Sequence, residues 1–395
     1  MSLVGVRPDH DTSSPEGAAA VLRTTTAVRE RAQYLLNRAR AGDSPWFSVD
    51  DGAMPVAAAE VADVTRARYP DLRIPYHSRW RHFEAGGVDR NAELDARAMV
   101  DLTVVSVLLD AGAGPDWHYL EASSGQRFSR SEGLGVASWH AFCRGMFSGD
   151  PARPLLVDAA GLRSLTVERL AEAFQCTPAN PLVGLEGRVS LLHRLGDALL
   201  PHGRPADFFD LTGGNRIAAH DILSQVLASL SGIWLAPNSI GPDALGDCWR
   251  HDAVPGPGLT RGWVPFHKLS QWLTYSLLEP FEWAGVHVEG LDALTGLPEY
   301  RNGGLLLDTG VLRLREPDWA ARNWDVSDEL VVEWRALTVA LLDELAPLVR
   351  SRLDAADLPL ACVLEGGTWA AGRTLAQRLR DGRPPLSVVS DGTVF

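Results

Sequence analysis

The sequence predicts a mainly α-helical fold with at most a small β-hairpin or sheet. Apolar residues recur at three- and four-residue intervals over most of the chain, and strand-like alternation is confined to a few short stretches. Apolar residues at 46% and charged residues at 22% are typical of a globular protein. We expect residues 1–17 to be a disordered tail and residues 18–395 to form one large domain, with two intimate lobes meeting near residues 150–180 as an alternative.

Helical periodicity predicts ten helices, in order over residues 18–40, 55–68, 92–109, 132–147, 166–174, 185–200, 217–230, 266–281, 329–353 and 360–379. The helix at 329–353 has a candidate N-cap at Ser327 and acidic residues in its first turn. It is apolar on almost all sides, which predicts that it is buried.

Two segments have strand character. Residues 117–121 and 127–129 flank the turn sequence Ser123-Ser124-Gly125 and predict a β-hairpin. Residues 305–314 are apolar enough for a strand but are interrupted by Gly310, so strand and helix both stay open.

Charge and motif content exclude several classes of protein. Fifty acidic and 37 basic side chains give a net charge of −13, which argues against non-specific nucleic-acid binding. No apolar run approaches the ~20 residues that span a bilayer, and no signal-peptide pattern is present, so we expect a cytoplasmic protein without a membrane partner. The sequence lacks nucleotide-binding glycine motifs and cysteine pairs with metal-ligand spacing, so no cofactor or metal is expected. The oligomeric state stays open.

Two compositional biases bear on function. Lys268 is the single lysine among 37 basic residues; genome composition explains such a bias, but a specific role for the ammonium group is the alternative. The chain also has 13 tryptophans. Most can be assigned to core packing, although aromatic walls around a few polar groups are also typical of a small-molecule pocket.

Three glutamates lie in apolar or glycine-rich surroundings. Glu333 lies in the helix that we expect to be buried, so it is either paired with a residue from elsewhere or functional. Glu365 precedes Gly366-Gly367, and two glycines in a helical pattern indicate close approach of a ligand or of another helix. Glu299 lies in a turn-rich polar segment, which is either a surface turn or part of a site.

The segment from His77 to Arg90 combines cations, imidazoles and aromatic rings, including Arg81, His82 and Asp89. It is either an anion-binding surface, suited to a phosphate, or a solvated charged loop. His77 and His82 are five residues apart, which does not align two metal ligands on one helical face.

Six stretches of the sequence resemble one family. They are IPYHSRWRHFEAGGVDR, WVPFHKLSQWLTYSLLEPF, LTGLPEYRNGG, EWRALTV, LEGGTWAAGR and the terminal SDGTVF. Together they resemble the uracil-catabolism family long labelled a domain of unknown function, over nearly the whole chain from about residue 20. The resemblance implies a role in a fungal and bacterial pathway that degrades uracil through ribosylated urea intermediates.

A more distant resemblance is to the queuosine-salvage nucleotide N-glycosylases. Their Phe-Tyr-Lys-x-x-Gln segment is similar to residues 266–271, and their Thr-x-Phe-Ala-Asp-Tyr-Arg segment is similar to residues 295–301. Their Glu-x-Arg resembles Glu333-Trp334-Arg335, and an Asp four residues before a Trp resembles Glu365 with Trp369. This similarity implies a helical fold akin to helix-hairpin-helix DNA glycosylases and cleavage of a base from ribose 5′-phosphate.

The resemblance also implies roles for individual residues. The family carboxylate before Tyr-Arg serves the reaction centre, and that role falls on Glu299. The chain departs from the pattern by having Glu where the family has Asp at both carboxylate positions, and Gly303-Gly304 where bulkier residues occur. The longer carboxylates and the smaller residues suit a smaller leaving group.

We therefore predict an N-ribosyl hydrolase that releases urea, or a related ureido product, from a phosphorylated ribosylurea. Glu299 stabilises the oxocarbenium ion and orients water, while Glu365 and Glu333 accept N–H bonds from the urea. The remaining site residues hold the sugar phosphate or line the pocket: His82, Arg81, Lys268, Arg301, Arg335, Asp89, Tyr300 and Trp369. An amidohydrolase acting on the ureido C–N bond and a non-catalytic ligand-binding protein are the alternatives.

Overall fold

The computed structural model of the protein describes residues 10–87, 94–200, 203–209, 211 and 215–389. The described chain is mainly helical, which confirms the predicted class. The α-helices are α1 (Pro15–Leu22), α2 (Thr25–Ala41), α3 (Met54–Arg68), α4 (Trp80–Phe83), α5 (Ala96–Leu108), α6 (Arg130–Cys143), α7 (Ala159–Arg163), α8 (Val167–Ala173), α9 (Leu185–Leu199), α10 (Ala219–Leu230), α11 (Lys268–Trp283), α12 (Tyr300–Asp308), α13 (Glu329–Leu353), α14 (Leu360–Val363) and α15 (Trp369–Arg380).

Short strands complete the fold. They are β1 (Phe47–Val49), β2 (His118–Leu120), β3 (Arg127–Ser129), β4 (Arg216–Ala218), β5 (Ser239–Ile240), β6 (Asp243–Ala244), β7 (Cys248–Arg250), β8 (Trp263–Pro265), β9 (His287–Glu289), β10 (Leu312–Leu314), β11 (Asn323–Asp325) and β12 (Ser387–Val389). Pairs β1–β10, β2–β3, β5–β6 and β7–β8 are antiparallel, whereas β4–β9 and β11–β12 are parallel. The β2–β3 pair is the predicted hairpin, but pairs such as Phe47 with Leu314 join distant segments, which local alternation cannot reveal.

Helix α13 lies at the centre of the fold, as its all-round apolar sequence predicted. Every residue from Leu330 to Leu342 is buried, and the helix packs against α2 and α3. A second buried helix, α11, packs against α5 and α10, while α12 packs against α15. One hydrophobic cluster runs through these helices from Val28 to Leu386. Within the described ranges, no helix combines the length and apolar character needed to cross a bilayer.

Several predicted boundaries are wrong. The helix predicted over 18–40 is two helices, because Thr24 is extended and its hydroxyl caps α2 by accepting the Ala27 N–H. Asp328, not Ser327, is the N-cap residue of α13. Residues 305–314 are neither one strand nor one helix, since α12 ends at Asp308 and Gly310, at φ 78°, turns the chain into β10.

The segment predicted as a disordered tail, residues 1–17, includes the start of a helix. Helix α1 begins at Pro15, and the Ser14 hydroxyl caps it by accepting the Gly17 N–H. A proline at the first helical position fits the fixed backbone angle that the helix requires. Residues 1–9 lie outside the described residues, as does the terminal SDGTVF segment.

A π-helical turn, Leu364–Thr368, joins α14 to α15 and carries Glu365. An added Cβ at Gly367 would overlap the Thr65 hydroxyl and the carbonyl oxygen of Val61 on α3. The two glycines therefore permit close approach of another helix, the second of the two alternatives from the sequence. Turns of this type are rare and frequently occur at functional sites.

Helices α12 and α15 are in direct backbone contact at Gly372. A Cβ there would overlap the carbonyl oxygen of Arg301, so this glycine sets how closely Arg301 approaches α15. We expect Gly372→Ala to lower the free energy of unfolding by about 1–3 kcal/mol, because overpacking forces the helices apart. Chemical denaturation would measure the change. Gly232→Ala is the matched control, since its added Cβ meets open space, and equal stability of both variants would contradict the prediction.

Candidate active site

Five segments that are distant in sequence bring polar side chains together. They are the end of α3, the residues before and within α4, the first turns of α11 and α12, and the π-helical turn with the start of α15. Their shared feature is charged or aromatic side chains that face one another inside a helical protein. The site residues they contribute are Arg68, Tyr69, His77, Arg79, His82, Lys268, Trp272, Glu299, Tyr300, Arg301, Glu365 and Trp369.

Glu365 is buried and has partners at both carboxylate oxygens. Its Oε1 accepts from Arg68 Nη2 at 2.8 Å and from the Tyr69 hydroxyl at 3.1 Å, and its Oε2 lies 2.9 Å from His77 Nδ1. Burial alone would raise the pKa of Glu365, but the hydrogen bond and charge of His77 and the charge of Arg68 outweigh it, so the pKa is lowered. The carboxylate is therefore ionised and fixed in orientation.

Two imidazoles and two indoles form an aromatic box, defined by His77, His82, Trp272 and Trp369. His77 lies 6.4 Å from Trp272 and 6.0 Å from Trp369, and His82 lies 5.8 Å and 6.5 Å from the same rings, between centroids. Each imidazole thus contacts both indoles. Trp272 follows Lys268 by four residues on α11, and Trp369 follows Glu365 by four, which places each indole near a charged site residue.

Arg301 forms one edge of this box. Its guanidinium carbon lies 3.8 Å from the centroid of the Trp369 ring, and its Nε donates to the Tyr300 hydroxyl at 3.0 Å. This cation–π contact brings Arg301 on α12 against Trp369, the first residue of α15.

Lys268 is the first residue of α11. Burial, and then the charge of Arg335, lower the pKa of Lys268, while the charges of Asp247, Glu299 and Asp110 act in the other direction. Its backbone N–H donates to Asp247 Oδ2 at 2.9 Å. The ammonium group of the single lysine is therefore influenced by the charge of Glu299 and by the charges of a buried ion pair, Arg335 with Asp247.

That ion pair joins Arg335 to Asp247 through two hydrogen bonds of 2.8 Å. The Arg335 guanidinium also lies 4.1 Å from the Phe266 ring centroid. Burial would raise the pKa of Asp247, but Arg335 outweighs it and lowers the pKa to about 2. Arg335 thus has Asp247 as its carboxylate partner. Because Asp247 also accepts the Lys268 N–H, Arg335 is linked through it to the start of α11.

Glu299 is the N-cap residue of α12. Its Oε1 accepts the Asn302 N–H at 2.6 Å and its Oε2 accepts the Arg301 N–H at 2.9 Å. Acidic side chains stabilise a helix when they lie at its N-terminus, where the backbone N–H groups lack other partners. The cap holds the carboxylate still and leaves each oxygen a further lone pair for a ligand.

Glu333, which we predicted to bind the urea, makes its hydrogen bonds outside this group. It is fully buried, with Oε1 bonded to the Ser44 hydroxyl and Oε2 3.0 Å from His251 Nε2. Two residues apart on α13, Glu333 and Arg335 point in different directions. Of the two alternatives from the sequence, the structure therefore shows Glu333 paired with residues from elsewhere in the chain.

Two predicted phosphate ligands, His82 and Arg81, have partners within the protein. His82 is buried beside Arg79, and burial together with the charges of Arg79 and His77 lowers its pKa well below 6.5, so it is neutral rather than cationic. Arg81 forms ion pairs with Glu279 at 2.7 Å and with Glu84 at 3.2 Å, which compete with a phosphate for its charge. Asp89 lies outside the described residues.

Twelve buried side-chain polar atoms have no hydrogen-bond partner among the described residues, and five of them belong to site residues or to their neighbours in sequence. They are Arg79 Nη2, Trp272 Nε1, Arg301 Nη1, Asn302 Oδ1 and Thr368 Oγ1. Buried polar groups are nearly always satisfied, so these five atoms require an explanation, and a polar ligand supplies one. No group of three or more His, Cys, Asp or Glu side chains in the described ranges could hold a metal ion.

The sequence did not single out several residues of the site. His77 and Arg79 were considered only as part of the charged segment 77–90, with His77 also weighed as a metal ligand, and Arg68 and Tyr69 were not considered. The one usable signal was the four-residue spacing of Trp272 from Lys268, which repeats the spacing of Trp369 from Glu365. Contacts between α3 and the π-helical turn depend on packing and leave no local pattern.

The fold and these motifs define a protein family. The chain belongs to the family described as "Protein of unknown function (DUF1688)", which matches residues 21–395. This confirms the family resemblance predicted from the six sequence stretches.

Two relatives extend the comparison. The chain is similar to "Protein urg3" of Schizosaccharomyces pombe, with 39% identity over 404 residues, 95% of this chain and 98% of that protein. It is also similar to "Uracil catabolism protein 4" of Lachancea kluyveri, with 38% identity over 375 residues, 82% of this chain and 85% of that protein. The similarity to both proteins includes most of the length of each.

Proposed function

We propose that this protein acts in uracil catabolism as an N-ribosyl hydrolase. Its substrate is a 5-phosphoribosylurea-type compound, and its products are urea and ribose 5-phosphate. The pathway assignment is supported by the name of the relative from Lachancea kluyveri, which is 38% identical over most of its length. The reaction type is supported by the residues of the site.

The cluster of five unpartnered buried polar atoms is the observation that carries the proposal. The nitrogen atoms of Arg79, Trp272 and Arg301 are donors, the amide oxygen of Asn302 is an acceptor, and the Thr368 hydroxyl is both. A ligand that satisfies them must itself be rich in donors and acceptors. A sugar phosphate bearing a ureido group has both in a small volume.

The chemistry assigns a role to each charged residue. Breaking a ribosyl C–N bond develops positive charge on the sugar, and the Glu299 carboxylate, fixed by two backbone N–H groups, stabilises that charge and orients the attacking water. Lys268 and Arg301 hold the phosphate, whereas Arg335 and Arg81 form ion pairs with Asp247 and Glu279. Tyr300 and Trp369 flank Arg301.

Incubation of the purified protein with 5-phosphoribosylurea tests the proposal. We expect stoichiometric release of urea and ribose 5-phosphate, detected by a urease-free colorimetric urea assay and by chromatography of the sugar phosphate. Release of ammonia and carbon dioxide instead would favour the amidohydrolase. Calorimetric binding without turnover would favour a ligand-binding protein, and either result would overturn the hydrolase assignment.

A further inference from the structure

The imidazole of His77 is held by one of its two nitrogen atoms. Nδ1 lies 2.9 Å from Glu365 Oε2, while Nε2 makes no hydrogen bond to a described residue. The other oxygen of Glu365 is fixed by Arg68 and by Tyr69, so the carboxylate cannot easily turn away. His77 is thereby oriented with Nδ1–H toward Glu365 and with Nε2 directed away from it.

The second imidazole of the aromatic box, His82, contacts a guanidinium group where His77 contacts a carboxylate. His82 Nδ1 lies 3.0 Å from Arg79 Nη1, and because an arginine can only donate, Nδ1 is the acceptor and Nε2 bears the proton. The neighbouring guanidinium and burial keep this ring neutral. The box therefore pairs a fixed neutral N–H donor, His82, with an imidazole, His77, that is oriented by a carboxylate.

We infer that His77, positioned by Glu365, is the general acid that protonates the leaving nitrogen. This inference rests on the proposed function. The C–N bond between ribose and urea breaks, its electron pair goes to nitrogen, and the proton of His77 Nε2 moves to that nitrogen. Water forms the new C–O bond and loses its proton to Glu299, and solvent exchange restores both groups.

The leaving group explains why such an acid is needed. An unprotonated urea anion is a poor leaving group, so proton transfer in the transition state lowers the barrier, and a positioned acid is typically worth 10²–10⁴-fold. The Glu365 carboxylate makes the direct contact with the His77 ring, and the Arg68 guanidinium and the Tyr69 phenol fix that carboxylate.

Two substrates separate proton donation from mere positioning. We would assay wild type and His77→Gln with 5-phosphoribosylurea and with the 4-nitrophenyl glycoside of ribose 5-phosphate, whose phenolate leaves without a proton. We expect kcat to fall on the order of 100-fold with the urea substrate and by only a few-fold with the nitrophenyl substrate. His220→Gln, a histidine on α10 bonded to Ser224 outside the box, is the matched control.

The same pair of substrates supplies an independent test in a second variant. Because Glu365 holds the His77 ring in place, we expect Glu365→Gln to lower kcat more with the urea substrate than with the nitrophenyl substrate. This measurement also decides the question if His77→Gln does not fold. Equal losses on both substrates in either variant would overturn the role of His77. Absence of turnover by wild type would instead overturn the proposed function, and with it this role.

Discussion

Replacing Glu299 with Gln is expected to lower kcat for urea release on the order of 10⁴-fold, since charge stabilisation and activation of water are lost together. The amide keeps the length and shape of the side chain, so the site geometry is largely preserved. KM is expected to change little, because the carboxylate acts on charge that develops only in the transition state. Steady-state kinetics with 5-phosphoribosylurea would measure both constants.

The capping role of Glu299 requires its own control. Both of its oxygens accept backbone N–H groups of α12, and loss of an N-cap costs about 0.5–2 kcal/mol. Asp95→Asn is the control. Asp95 caps the N-terminus of α5 by accepting the Ala98 N–H at 2.8 Å, and the amide weakens this cap. We expect this variant to lose similar stability and to keep its activity. Full activity of Glu299→Gln would refute the assignment.

Replacing Arg335 with Leu is expected to destabilise the protein by about 3–5 kcal/mol, because it leaves a buried carboxylate without its counter-ion. Asp247 is 5% exposed, so water cannot take the place of the guanidinium. Guanidinium-induced unfolding would measure the loss. The double variant Arg335→Leu/Asp247→Leu is expected to recover part of it, but not all, since Asp247 also accepts from the Lys268 N–H and the Trp249 indole.

The same pair predicts how stability depends on pH. The pKa of Asp247 is lowered to about 2 in the folded protein, against about 3.9 in an unfolded chain. A lowered folded pKa contributes stability that is present above the unfolded value and is lost as pH falls through the folded value. Unfolding free energies measured from pH 5 down to pH 2 should therefore fall less steeply in Asp247→Asn than in wild type. Parallel slopes would show that the pair does not set the acid limit.

The position of Lys268 links these two expectations. The charges of Glu299, Arg335 and Asp247 all act on the pKa of its ammonium group. Asp247 also accepts a hydrogen bond from the Lys268 backbone N–H. Loss of Arg335 is therefore expected to affect substrate binding as well as stability, through the start of α11. We therefore expect Arg335 to act on the site through Asp247 and the start of α11.

The sequence by itself determined the class of the fold and much of its local structure. Periodicity located α3, α9 and α13 closely, because an amphipathic or wholly apolar helix leaves a repeat that needs no knowledge of its partners. It also marked Glu299 and Glu365 as unusual carboxylates. The motif resemblance identified the family, which the match over residues 21–395 confirmed.

Only the tertiary structure decided which of these residues belong together. Glu333 and Glu365 look alike in sequence, yet one is bonded to Ser44 and His251 and the other to Arg68, Tyr69 and His77. Such pairings join residues 82 to 297 positions apart, and packing of α3 against the π-helical turn creates those of Arg68 and Tyr69 with Glu365. Local patterns record how a segment folds, but the charge and hydration of a side chain depend on neighbours that packing alone supplies.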